Sequence, residues 1–152
     1  MTGVSQGKPI RGLHAVENMP ARGLTSKRSG YGPEETMNRF EAEVRARGMI
    51  VFAHIDHAAG AAAAGLSLRP TDLLIFGNAR SGAPLMELVQ TVGIDLPLKA
   101  LVWQGASGIT WLSYNDLNWI AEQHGLDSEA GAAVGALTAT LEQMVISATT
   151  SP

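Results

Sequence analysis

The 152-residue chain carries 11 Lys+Arg against 14 Asp+Glu, a formal net charge of −3, and 45% of it is apolar. That content suits one domain around one core and argues against a disordered chain or an array of repeats. The absence of cysteine excludes disulfide scaffolds, thiol catalysis and Cys-based zinc or iron–sulfur sites.

Residues 1–23 hold Lys8, Arg11 and Arg22 against Glu17 alone and show no sustained apolar period, so they are expected to be a flexible N-terminal arm. Residues 24–150 are expected to form a single α+β domain. LTSKRSGY (24–31) suits an edge strand. A helix is predicted from Pro33 to Arg47: proline fits its first turn, Glu34 and Glu35 complement the positive end of the dipole, and Met37, Phe40 and Val44 share one face. MIVFAHID (49–56) reads as a strand with Val51, Ala53 and Ile55 on one face and Ile50, Phe52, His54 and Asp56 on the other. Asp56 can then cap a short helix of small residues that ends at Gly65.

TDLLIFG (71–77) has the unbroken apolar run of a strand buried on both faces. A loop, Asn78-Ala-Arg-Ser-Gly82, is expected to lead into a helix from about Pro84 to Val92. LKALVWQ (98–104) and ITWLSYN (109–115) flank Gly-Ala-Ser-Gly and predict a β-hairpin. A short helix from Asp116 to His124 follows. A final helix reaches about Ile146, with Ala130, Val134, Leu137, Leu141 and Met144 along one seam.

Pairing Gln104 with Ile109 would set Trp103 against Thr110, Val102 against Trp111 and Lys99 against Tyr114. Neither face of that hairpin is polar, whereas an antiparallel sheet in a small domain usually wets one side. Something must cover the second face: helices of the chain itself, a second copy, or a ligand.

Three constellations carry possible chemistry. His54, Asp56 and His57 offer imidazole and carboxylate ligands for a metal; the competing reading makes Asp56 a helix cap and His54 a hydrogen-bonded surface residue. Asn78 and Arg80, between a strand and a helix, have the form of an anion cradle, or else of a turn that only reverses the chain; Ala83-Pro84 excludes a Walker loop. Lys99 and Tyr114, with Asn115 next, would place an amine and a phenol over an apolar patch, or a lysine stem along an aromatic ring.

The succession FAHIDHAAGAAAAGL, LRPTDLLIFGNARSGAPLM, GIDLPLKALVWQ and ITWLSYND resembles the bacterial and archaeal family catalogued as domain of unknown function 302, over about residues 30–126. The resemblance implies a compact α+β domain, an antiparallel sheet of four to five strands packed with helices in a TATA-binding-protein-like arrangement, commonly a homodimer. That topology carries no inference of DNA binding. The family pattern usually has proline after Gly-Asn and an acidic residue after the hairpin tryptophan; here Ala79 and Gln104 stand there. His54, His57, Arg69, Gly77, Asn78, Pro84, Pro97, Tyr114, Asn115 and Asp116 occupy motif positions, and no activity comes with them.

The expectation is a homodimeric module that binds a small polar or anionic ligand, with candidate contacts His54, Asn78, Arg80, Lys99, Tyr114 and Asn115, or that serves as an interaction domain. The alternative is a metal-dependent enzyme using His54, Asp56 and His57. No cofactor is identified. The acidic balance argues against a nucleic-acid partner. No run of about 20 apolar residues or secretory leader is evident, so a cytoplasmic protein without a membrane partner is expected.

Overall fold

The computed structural model describes residues 21–126 and 128–152; most of the expected N-terminal arm therefore lies outside the described residues. Five strands, β1 (Leu24–Arg28), β2 (Ile50–Asp56), β3 (Thr71–Gly77), β4 (Leu98–Gln104) and β5 (Thr110–Asn115), form one sheet in the order β1-β5-β4-β3-β2. Every neighbouring pair is antiparallel. The helices are α1 (Pro33–Ala46), α2 (His57–Ala63), α3 (Ala79–Leu88), α4 (Leu117–Gln123) and α5 (Gly131–Thr149), with short 3₁₀ turns at Gln90–Asp95 and Ser128–Ala130. The expected α+β architecture is the observed one.

The apolar face predicted for α1 is buried: Met37, Phe40 and Val44 sit in the core. Phe40 meets Phe76 of β3 edge to face, with ring centroids 5.2 Å apart. On its outer side, Arg39 donates to Glu35 at 3.0 Å and Arg45 to Glu41 at 3.1 Å, the four-residue spacing of paired charges on a helix. The seam Ala130, Val134, Leu137, Leu141 and Met144 is also buried, so α5 packs on the domain's own core. Leu74 and Phe76 of β3, Ala100 and Val102 of β4, and Leu112 and Tyr114 of β5 supply the sheet side of that core.

The hairpin register differs from the expected one by a residue. Trp103 faces Trp111, Val102 faces Leu112 and Gln104 faces Thr110. The cause is the loop. The Gly105 amide donates to the Ile109 carbonyl at 2.9 Å, leaving Ala106, Ser107 and Gly108 as a three-residue connection. Gly108 has φ +85°, the left-handed residue that such a connection uses. Because side chains alternate along a strand, the shift changes which residues share a face. The helix-covered face holds Leu98, Ala100, Val102, Leu112 and Tyr114, and the opposite face holds Lys99, Leu101, Trp103, Trp111 and Ser113.

That opposite face continues through Leu73 and Ile75. These two residues, Leu101 and both tryptophans are only partly screened in the single chain. The core helices thus cover one face, and they do not complete the second layer that the sequence pattern calls for.

Candidate functional site

The segment expected as a loop at Asn78–Gly82 is the first turn of α3. The Asn78 side chain accepts a hydrogen bond from the Ser81 amide at 2.8 Å, so asparagine acts as the N-cap. Pro84 lies inside the helix, where it cannot donate to the Arg80 carbonyl one turn back.

This turn forms one wall of a cavity of about 250 Å³. The other walls come from Met49 and Phe52, from Leu96, Pro97 and Leu98 at the start of β4, and from Leu137 of α5. Met86 of α3 closes the apolar lining, and Asn78 and Ser81 are its polar side chains. Phe52 reaches the cavity through a β-bulge. Pairing steps from Val51 opposite Phe76 directly to Ala53 opposite Ile75, so Phe52 is the extra residue. It is 55% exposed although it is a large aromatic side chain. The expected alternation along 49–56 breaks at this point.

A wider, open cleft shares Met49, Ser81 and Leu137 with the cavity and adds Arg47 and Arg80. Arg47 stands 3.9 Å from Glu43. Arg80 has no ion pair among the described residues. Asn78 and Arg80 therefore stand at one place, with Asn78 lining the cavity and Arg80 the cleft.

The other expected site residues do not join them. His54, on β2, approaches Asp72 with its Nε2 3.5 Å from the carboxylate. Asp56 accepts from the Ala59 amide at 2.8 Å, which makes it the cap of α2, and His57 is the first residue of that helix. Among the described residues no three His, Asp or Glu side chains are gathered to hold a metal ion. The carboxylate in the middle of the expected metal trio is engaged with a backbone amide through one of its oxygens.

Lys99 and Tyr114 are not opposed. Lys99 lies across from Ile75 and Tyr114 across from Ala100, so the one-residue register shift puts them on opposite faces of the sheet. Tyr114 lines a separate small cleft with Thr25, Asp116, Asn118 and Glu142. Burial, then the charges of Glu142 and Asp116, push its phenol above the ordinary value, against the pull of a hydrogen bond with Thr25. Asn115 pairs with Leu24 at the end of β1.

Arg47, Met49, Phe52 and Leu137 were not legible as site residues in the sequence, because they converge from separate elements. Only Phe52, an aromatic residue set on the polar-ended face of a strand, gave a local signal. A polar cluster was also missed: His124 Nε2 lies 2.5 Å from Asp95 Oδ2, and its Nδ1 lies 3.1 Å from the Thr91 hydroxyl. It ties the Gln90–Asp95 turn to the end of α4.

A family model described as "Domain of unknown function DUF302" matches residues 25–144. A crystal structure of an uncharacterized conserved DUF302 protein from Bacillus stearothermophilus superposes with a TM-score of 0.73 at 20% identity, covering 82% of this chain and 97% of that one. At that identity the likeness speaks to the fold. The chain is also 44% identical over 115 residues to the fluoride-specific ion channel FluC 1 of Brucella suis and to that of Brucella abortus. The match covers 76% of this chain but 45% and 43% of those proteins, so the chain spans less than half the length of the curated relatives it matches. Among the described residues no helix is long and apolar enough to cross a membrane.

Proposed function

Since the chain belongs to the DUF302 family, whose description leaves its activity open, we propose that it is a homodimeric small-ligand-binding module rather than a catalyst. The observation that carries this reading is the cavity beside Asn78, bordered by the Arg80 cleft. A concave, largely apolar space with a few polar groups at one end is the usual form of a small-molecule site.

Native mass spectrometry of the purified chain, together with melting curves against a panel of polar, anionic and amphipathic compounds, tests the reading. A bound small molecule, or a rise in Tm that depends on concentration, is expected. If no compound in the panel raises Tm and no adduct travels with the protein, the binding reading fails.

The homodimer is supported by the apolar second face of the sheet, where Leu73, Ile75, Leu101, Trp103 and Trp111 lie together. Burial of such a face against its own copy removes apolar area from both partners. Sedimentation at micromolar concentration should give twice the chain mass of 16.0 kDa. A lone species of single-chain mass would remove the dimer from the proposal. The Brucella proteins support the word module, because a stretch like this one occupies less than half of a longer polypeptide there.

A further inference from the structure

The apolar cavity and the arginine cleft touch. Met49, Ser81 and Leu137 line both, so the two spaces adjoin. Their chemistries are complementary halves of an amphiphile. The cavity offers Phe52, Met86, Leu96 and Leu98 and no charged side chain, while the cleft offers Arg47 and Arg80 and no carboxylate.

Resting on the binding-module reading, we infer that these are two parts of one site for a dissolved amphipathic organic anion, with the apolar body in the cavity and the oxyanion head on Arg47 and Arg80.

Size bounds the body. An apolar cavity of about 150 Å³ takes benzene, so about 250 Å³ holds roughly ten carbon atoms. One chain of about that length matches the volume. Charge selects the head. Arg80 has no ion pair among the described residues, and Arg47 is held only by Glu43 at 3.9 Å, so both guanidinium groups are open to an oxyanion. The site thereby discriminates against the two simpler ligands it resembles. An alkane or alcohol leaves Arg80 without an anionic partner, and a bare phosphate leaves the cavity unfilled.

Isothermal titration of the full chain with decyl phosphate, decanol and inorganic phosphate tests this. Decyl phosphate is expected to bind at least tenfold tighter than decanol and at least a hundredfold tighter than inorganic phosphate. Octyl and hexyl phosphate should weaken stepwise, by roughly three- to fourfold for each methylene removed while the chain lies in the cavity. Arg80→Ala should bring decyl phosphate to within a few-fold of decanol, and Gly82→Leu, whose side chain would grow toward Leu96 and Met86, should abolish binding of both. The chain-length series uses the unmodified protein, so it decides the matter even if a variant does not fold.

Equal binding of decanol and decyl phosphate would overturn the inference, leaving an apolar site. Inorganic phosphate binding as tightly as decyl phosphate would also overturn it, while leaving the polar-ligand form of the module reading intact. Failure of all three, with the wider panel also silent, would end both. Co-sedimentation with phosphatidylglycerol vesicles would overturn it in favour of a membrane surface; the expected result is protein left in the supernatant.

Discussion

Trp103 lies directly across the hairpin from Trp111, their rings stacked 6.2 Å apart at 22°, on the sheet face turned away from the core helices. The Trp103 ring nitrogen donates to the Ser113 hydroxyl at 2.8 Å, which fixes the orientation of the pair. Two aromatic rings held still on a partly open face form a ready-made contact surface.

Trp111→Lys is therefore expected to convert the proposed dimer into single chains while leaving the helix-covered core intact. Sedimentation would report the mass, and far-UV circular dichroism the fold. A variant that stays dimeric would move the interface to another surface.

Phe40 is fully buried and meets Phe76 edge to face. Phe40→Ala should cost about 3 to 5 kcal/mol, the lost transfer of the ring plus the cavity left behind. Urea unfolding would show this as a lower midpoint with little change in slope. A loss below about 1 kcal/mol would mean that the core closes around the gap.

Asn78→Ala removes the cap that accepts from the Ser81 amide at 2.8 Å. Stability should fall by about 1 kcal/mol. Asn78→Asp, which keeps an acceptor at the same place, should recover most of it. If both variants lose the same amount, the capping bond is not what stabilises the start of α3.

The pKa of the Tyr114 phenol is raised above its ordinary value of 10.0 by burial first, then by Glu142 and Asp116. The folded state then favours the neutral phenol more than the unfolded chain does. Its contribution is complete below about pH 10 and is lost as pH rises through the folded value. Tyr114→Phe should flatten the alkaline fall in unfolding free energy, followed by urea titrations at a series of pH values. Parallel alkaline curves for the two proteins would contradict the assignment.

The elements that repeat a period were readable from the sequence. Met37, Phe40 and Val44 announced α1 because burial on one face imposes a spacing of three and four, and Val134, Leu137, Leu141 and Met144 announced α5 in the same way. The hairpin was readable, but its register was not. A single left-handed glycine, Gly108, decides between two pairings that differ by one residue, and apolar residues on both faces left the pattern unable to choose. Asn78 was visible as a special position because asparagine suits both a cap and a turn. Proline drew the expected helix start to Pro84, although side-chain capping begins the helix at Ala79. The cavity could not be read at all, since it depends on a bulge at Phe52 and on the approach of Leu137 from far along the chain.

The strand order has a kinetic consequence. β2, β3 and β4 each pair with the next strand in sequence, so the four strands β2 to β5 can zip together through short-range encounters. β1 instead lies beside β5, where the Ser26 and Ser113 hydroxyls meet across a separation of 87 residues. The loop-closure entropy of that encounter falls on the shortest strand, one with no buried side chain. We expect β1 to dock late on the folding route and to open early, so its amides should exchange with deuterium before those of β3 and β4. Equal protection across all five strands would place β1 within the cooperative unit from the start.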